Sequence, residues 1–129
     1  MASMKKVLTF CSKYFNLPKE TFADHNRAGD MRFIRHLVFW LIRTQTTLSY
    51  NAMARDLKRD HTTIVHSVQV VNTNVFYVPY VHDLMEAWTL YCNTNEIVSP
   101  YLNHVDLEKS YFADIIADYK QRWGAKNKI

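Results

Sequence analysis

Apolar residues recur along this chain at helical spacing, in segments separated by short polar stretches. In "MKKVLTFCSKYFNL" one face holds Val7, Leu8, Cys11, Tyr14 and Phe15. Pro18 ends that helix or starts the next turn. "FADHNRAGD" (residues 22–30) is polar, contains Gly29 and predicts a loop. "MRFIRHLVFWLIR" (31–43) is apolar around most of its circumference, which predicts the central buried helix. One stripe of it is basic: Arg32, Arg35, His36 and Arg43 project close together at about 100° per residue. Without further context that stripe reads as solvated and laced with salt bridges.

Two short helices follow. In "LSYNAMARDL" Ser49 is the N-cap, and Met53, Ala54 and Leu57 form the apolar face. Lys58 and Arg59 make a very tight connection. "DHTTIVHSVQVV" then starts on a second N-cap, Asp60; Ile64, Val68 and Val71 point one way, and Thr62, Thr63, His66 and Gln69 mostly the other. A minimal turn between two short helices, the second with a polar outer face, predicts a helix-turn-helix. Pro79 breaks the run after residue 75. "YVHDLMEAWTLYC" predicts a helix with Leu84, Ala87, Trp88 and Tyr91 on its face, "NTNEIVSPYLNHV" a loop, and "DLEKSYFADIIADYKQRW" an amphipathic last helix, with a fraying tail.

Composition agrees with an all-α fold. The 129 residues include only two glycines and three prolines, and 14% are aromatic. Charge divides the chain: residues 1–74 hold eleven Lys/Arg against five Asp/Glu, and residues 75–129 hold five against seven. The basic excess in the first part suits a polyanionic partner there. Cys11 and Cys92 form no C-x-x-C pair and read as reduced, buried thiols. Lys5 and Lys6 are followed by too short an apolar run for a signal peptide, and "LVFWLI" is too short to span a bilayer. The expectation is a soluble cytoplasmic protein.

No catalytic pattern stands out. The chain contains no G-x-x-x-x-G-K-[ST] and no G-x-S-x-G, and "HDLME" is not H-E-x-x-H. His61 and His66 are five residues apart, on different sides of a helix, and do not suggest a shared zinc. We expect no enzyme, no metal, no cofactor and no nucleotide.

The cluster "KRDHTT" is the informative feature. A helix N-terminus offers free N–H groups and partial positive charge to a phosphate. Lys58 and Arg59 add charge, and Thr62 and Thr63 add hydroxyl donors. In a major groove His61 can donate to a purine, Asp60 can accept from a cytosine amino group, and a threonine methyl can pack on thymine. The alternative is that Asp60 and Thr62 only cap the helix and His61 is simply exposed. Residue types alone leave both readings open.

The order of residues in "RDHTTIVHSV" closely resembles the signature of the C-terminal DNA-binding domain (domain IV) of the bacterial replication initiator DnaA. "SYNAMARDL", "MRFIRHLVFWLIRTQTTLS" and "VLTFCSKYFNLPKETF" fall where that family has its first helix-turn-helix element, its long central helix and its opening helix. The likeness covers residues 4–73. It implies an all-α, TrpR-like helix-turn-helix bundle over residues 1–74, with residues 75–129 as a C-terminal helical extension. It further implies base contacts from Asp60, His61 and Thr63, with Thr62 and Arg59 holding phosphates beside them. Arg35, with Arg32 one turn away, would enter the adjacent minor groove. Ser49, Lys58, Arg27 and His66 complete the implied DNA face.

Three departures from the family pattern matter. The usual glycine pair before the signature is replaced by Lys58, with one residue fewer. The loop before the central helix has one Arg and two Asp where the family is rich in Arg and Lys, which should weaken phosphate binding. No ATPase motif accompanies the helix-turn-helix in these 129 residues. The expectation is a nucleoid-associated, sequence-specific double-stranded DNA-binding protein. It would recognise initiator-type boxes and act in replication control or transcription regulation, as in a phage or mobile element. The rival is a protein-interaction module that uses the helix-turn-helix as scaffold, with Trp88, Tyr91, Tyr111, Phe112 and Trp123 contacting a partner protein or a second copy.

Overall fold

The computed structural model describes residues 1–23 and 29–97; Arg27 and the amphipathic run 106–123 lie outside the described residues. Helix α1 spans Met4–Phe15, α2 Glu20–Ala23, α3 Gly29–Gln45, α4 Tyr50–Leu57, α5 His61–Thr73 and α6 Val78–Thr94, with a 3₁₀ turn at Val75–Tyr77. No strand occurs among the described residues, so the all-α expectation stands.

Local chemistry explains most boundaries. The Ser3 hydroxyl accepts from Lys6 N–H at 3.2 Å and starts α1. Asn16, left-handed at φ 54°, ends it. Asn74 closes α5, and its side chain accepts from Phe76 N–H at 3.0 Å, which turns the chain into the 3₁₀ segment. Pro79 does not interrupt α6. It sits in the first turn, where its missing N–H has no helical acceptor to lose.

Helix α3 is the spine. It packs most heavily against α5 and then against α1. Ile34, Leu37, Val38, Phe39, Leu41 and Ile42 are all sealed from solvent. One core runs without interruption from Val7 to Tyr91. On α1, Phe10 meets the rings of Trp88 and Tyr91 from α6 at 5.2 and 5.3 Å, and Lys6 Nζ lies 5.8 Å from the centre of the Trp88 ring. The Trp88 indole donates to Gln45 Oε1 at 3.0 Å. Residues 78–91 thus bury their apolar face in the same core as α1 and α3.

Three further expectations need correction. The stretch 22–30 is not all loop: Phe22 is fully buried and anchors α2, and α3 already begins at Gly29. Cys11 is buried, with its thiol pKa pushed up by desolvation, but Cys92 is exposed because it lies one residue past the buried Tyr91. The basic stripe of α3 is not uniformly solvated. Arg32 is exposed and Arg43 half-buried, whereas Arg35 and His36 are only 6% and 9% exposed. For His36 the cause is visible: its ring meets His66 of α5 and its Nδ1 the Tyr77 hydroxyl of the 3₁₀ turn.

Candidate nucleic-acid interface

The turn between α4 and α5 is a Schellman motif. Arg59 N–H donates to Ala54 O at 2.9 Å and Lys58 N–H to Arg55 O at 3.4 Å. Lys58 occupies the left-handed position, φ 54° and ψ 45°, that glycine usually fills. The turn is therefore as tight as the missing residue required, at the expense of conformational strain in a side-chain-bearing residue.

Beyond that turn Asp60 caps α5. Its Oδ1 accepts from Thr62 N–H at 3.5 Å, a long bond for a cap. An ionised carboxylate has about four acceptor positions, so capping leaves Asp60 able to accept elsewhere. Asp60, His61, Thr62, Thr63 and His66 are all exposed, while Ile64, Val68 and Val71 are buried beneath them. The division of α5 into a polar outer face and an apolar inner one is the expected one.

The N-termini of the two short helices lie side by side. Ser49 Oγ accepts from Ala52 N–H at 3.1 Å and caps α4. Tyr50, the first residue of α4, meets His61, the first residue of α5, with ring centres 6.0 Å apart and planes at 82°. Two helix starts with free N–H groups therefore share one corner of the surface. Lys58 is exposed at that corner. Arg59 is half-buried, and Nε and Nη2 of its guanidinium are shielded from solvent.

A second cluster lies between α3 and α5. The His36 ring sits 6.2 Å from that of His66, and His36 Nδ1 shares a 2.9 Å hydrogen bond with the Tyr77 hydroxyl. Burial, and then repulsion from His66, Arg32 and Arg35, pushes the His36 pKa down to about 4. Arg32, exposed at this cluster, adds a fixed positive charge there, which favours an anionic partner.

The structure brings Asp60, His61, Thr62, Thr63, Lys58 and Ser49 to one corner, with Arg32 and His66 on the adjoining cluster. It does not display Arg35 in the same way: a groove contact from that buried side chain requires it to swing outward. Sequence pattern had no signal for Tyr50 and marked Arg43 only as part of the basic stripe of α3. The Arg43 guanidinium lies 4.3 Å from the centre of the Tyr50 ring, which meets His61, and spacing within one helix cannot register a contact that links three helices. One further cluster, His82, Asp83 and Glu86 on α6, places one ligand atom from each residue within 4.8 Å of the others. His82 Nδ1 and Asp83 Oδ1 are 3.7 Å apart. Among the described residues no helix is long and apolar enough to cross a membrane.

The family model described as the bacterial dnaA protein helix-turn-helix matches residues 4–71, which spans α1 to most of α5. The chain is also similar to the chromosomal replication initiator protein DnaA of Thermoanaerobacter sp. strain X514, of Thermoanaerobacter pseudethanolicus and of Caldanaerobacter subterraneus subsp. tengcongensis. Each is 27% identical over 63 residues, which is 49% of this chain and 14% of the relative. The chain therefore corresponds to a small part of these initiators. Capped, tightly joined and exposed at its leading end, the α4–α5 pair places this chain in the family of the bacterial DnaA helix-turn-helix.

Proposed function

We propose that this protein binds double-stranded DNA sequence-specifically, with the first turn of α5 in a major groove. The carrying observation is the leading end of α5, where Asp60, His61, Thr62 and Thr63 are exposed together beside the start of α4. Asp60, His61 and Thr63 read base edges. Ser49, Lys58, Arg59, Thr62 and Arg27 hold phosphates, and helix dipoles add to the attraction. His66, one turn into α5, extends the same face. Arg32 reaches toward the neighbouring minor groove, and Arg35 follows only if it leaves its buried place. The sites are initiator-type boxes, and occupying them regulates replication initiation or transcription. A phage or other mobile element is a natural setting for such a regulator. The reading comes from the family relation and from this exposed corner together.

Fluorescence anisotropy on duplexes selected from a random pool tests it. The selected duplex should bind more tightly than a scrambled one. Affinity should fall between about 50 and 200 mM salt, with a log–log slope of about −0.9 for each phosphate contact. His61→Ala should narrow the gap between the two duplexes, and Arg32→Ala should weaken both alike. Salt-insensitive or absent duplex binding would favour the protein-interaction module and end this reading.

A further inference from the structure

The tip of α5 is braced from α3 through a run of side chains that a bare base contact does not require. Arg43, in the last turn of α3, donates from Nη1 to the Leu48 carbonyl at 2.8 Å. Leu48 is itself held, because its N–H donates to Thr46 Oγ1 at 3.3 Å and the Thr46 hydroxyl donates to the Ile42 carbonyl at 2.7 Å. The Arg43 guanidinium lies over the ring of Tyr50, with Cζ 4.3 Å from its centre. Tyr50 in turn meets the His61 ring at 82°. Tyr50 packs half-buried at the edge of the core, whereas His61 is exposed. An exposed imidazole at the first position of a helix samples several rotamers, and each one lost on binding weakens discrimination between bases. A flat ring pressed against it removes some of that freedom beforehand. A stacked guanidinium fixes the ring more firmly than an aliphatic neighbour does, because the ring face attracts the cation.

We infer that Tyr50 is a positioning residue: braced by Arg43, it holds the His61 imidazole in the orientation that meets a base edge, and so sets sequence preference more than affinity. This rests on the major-groove reading above. The test uses the full chain with Tyr50→Phe, which keeps the ring, and Tyr50→Leu, which removes it but stays apolar. The first readout needs no DNA: the carbon-bound ring protons of His61, assigned by NMR through loss in His61→Ala. Tyr50→Leu should shift them, and Tyr50→Phe should leave them near their wild-type positions. The second readout is the ratio of affinities for the selected and scrambled duplexes at one salt concentration. Tyr50→Leu should lower that ratio about tenfold, the scale of one lost base contact, with scrambled-duplex binding within about twofold of wild type. Tyr50→Phe should preserve the ratio. Adding Tyr50→Leu to His61→Ala should lower it no further, as expected for residues acting through one contact.

Unmoved His61 resonances in Tyr50→Leu would overturn the inference whatever the DNA results. An unchanged ratio in Tyr50→Leu, where His61→Ala lowers it, would overturn the inference and leave the major-groove reading standing. Should wild-type protein prefer no duplex, that reading and the inference would fall together.

Discussion

Helices α3 and α5 pack on each other, and both carry basic and polar residues at helical spacing, yet they treat them differently. Helix α3 buries Arg35 and His36, the latter against His66 of α5, and leaves Arg32 outside. Helix α5 displays Asp60, His61, Thr62, Thr63 and His66 and shields its apolar side together with the small Ser67. Position in the bundle makes the difference. The spine is surrounded, so even its polar stripe finds neighbours. The second short helix lies at the rim, and its leading end follows a turn that directs it into solvent. Polar residue type alone therefore does not identify a contact surface, whereas polar residues at a capped and uncovered helix start are better candidates.

Stability should separate the two helices most clearly. Leu37→Ala in α3 deletes a sealed side chain and should cost about 3 kcal/mol. Thr63→Ala at the exposed tip of α5 should stay within about 0.5 kcal/mol. Urea denaturation of both variants checks the contrast, and equal losses would contradict the assignment of spine and rim.

The next effect comes from the groups shared by the two helices. Unfolded, His36 takes up a proton near pH 6.5; folded, it stays neutral down to about pH 4. The unfolded state therefore binds more protons between these values. Stability is fully present above about pH 6.5 and declines as the pH falls toward about 4, by something on the order of 3 kcal/mol. Thermal melts across this range should show that loss in the wild type and a shallower one in His36→Gln. An equal slope in both would assign the pH dependence to another group.

At the tip itself, Asp60→Ala removes the cap of α5 and should cost about 1 kcal/mol or slightly less, since the bond is long. Asp60→Asn should recover most of that, measurable as the urea midpoint. The smallest effect should be a gain. Lys58→Gly places the residue suited to left-handed backbone at the Schellman position and should stabilise by about 0.5 kcal/mol. It should also reduce the salt dependence of any duplex binding by about one phosphate contact. A loss of stability would mean that the lysine side chain makes a compensating contact.

The chain's pattern by itself determined helices α1, α3, α4, α5 and α6 but not the short α2, together with the Ser49 and Asp60 caps, the tight connection at Lys58 and Arg59, and the inner and outer faces of α5. These are legible because capping, turn formation and amphipathic spacing act over a few residues. Only the tertiary structure decided the rest. It buried Arg35 and His36, exposed Cys92, made Phe22 a core residue, and set Tyr50 between Arg43 and His61. Each of those outcomes depends on which helix crosses which, and burial is a property of surfaces meeting across long stretches of chain. A helical wheel shows that side chains share a direction, but whether that direction leads to solvent or to another helix depends on the packed bundle.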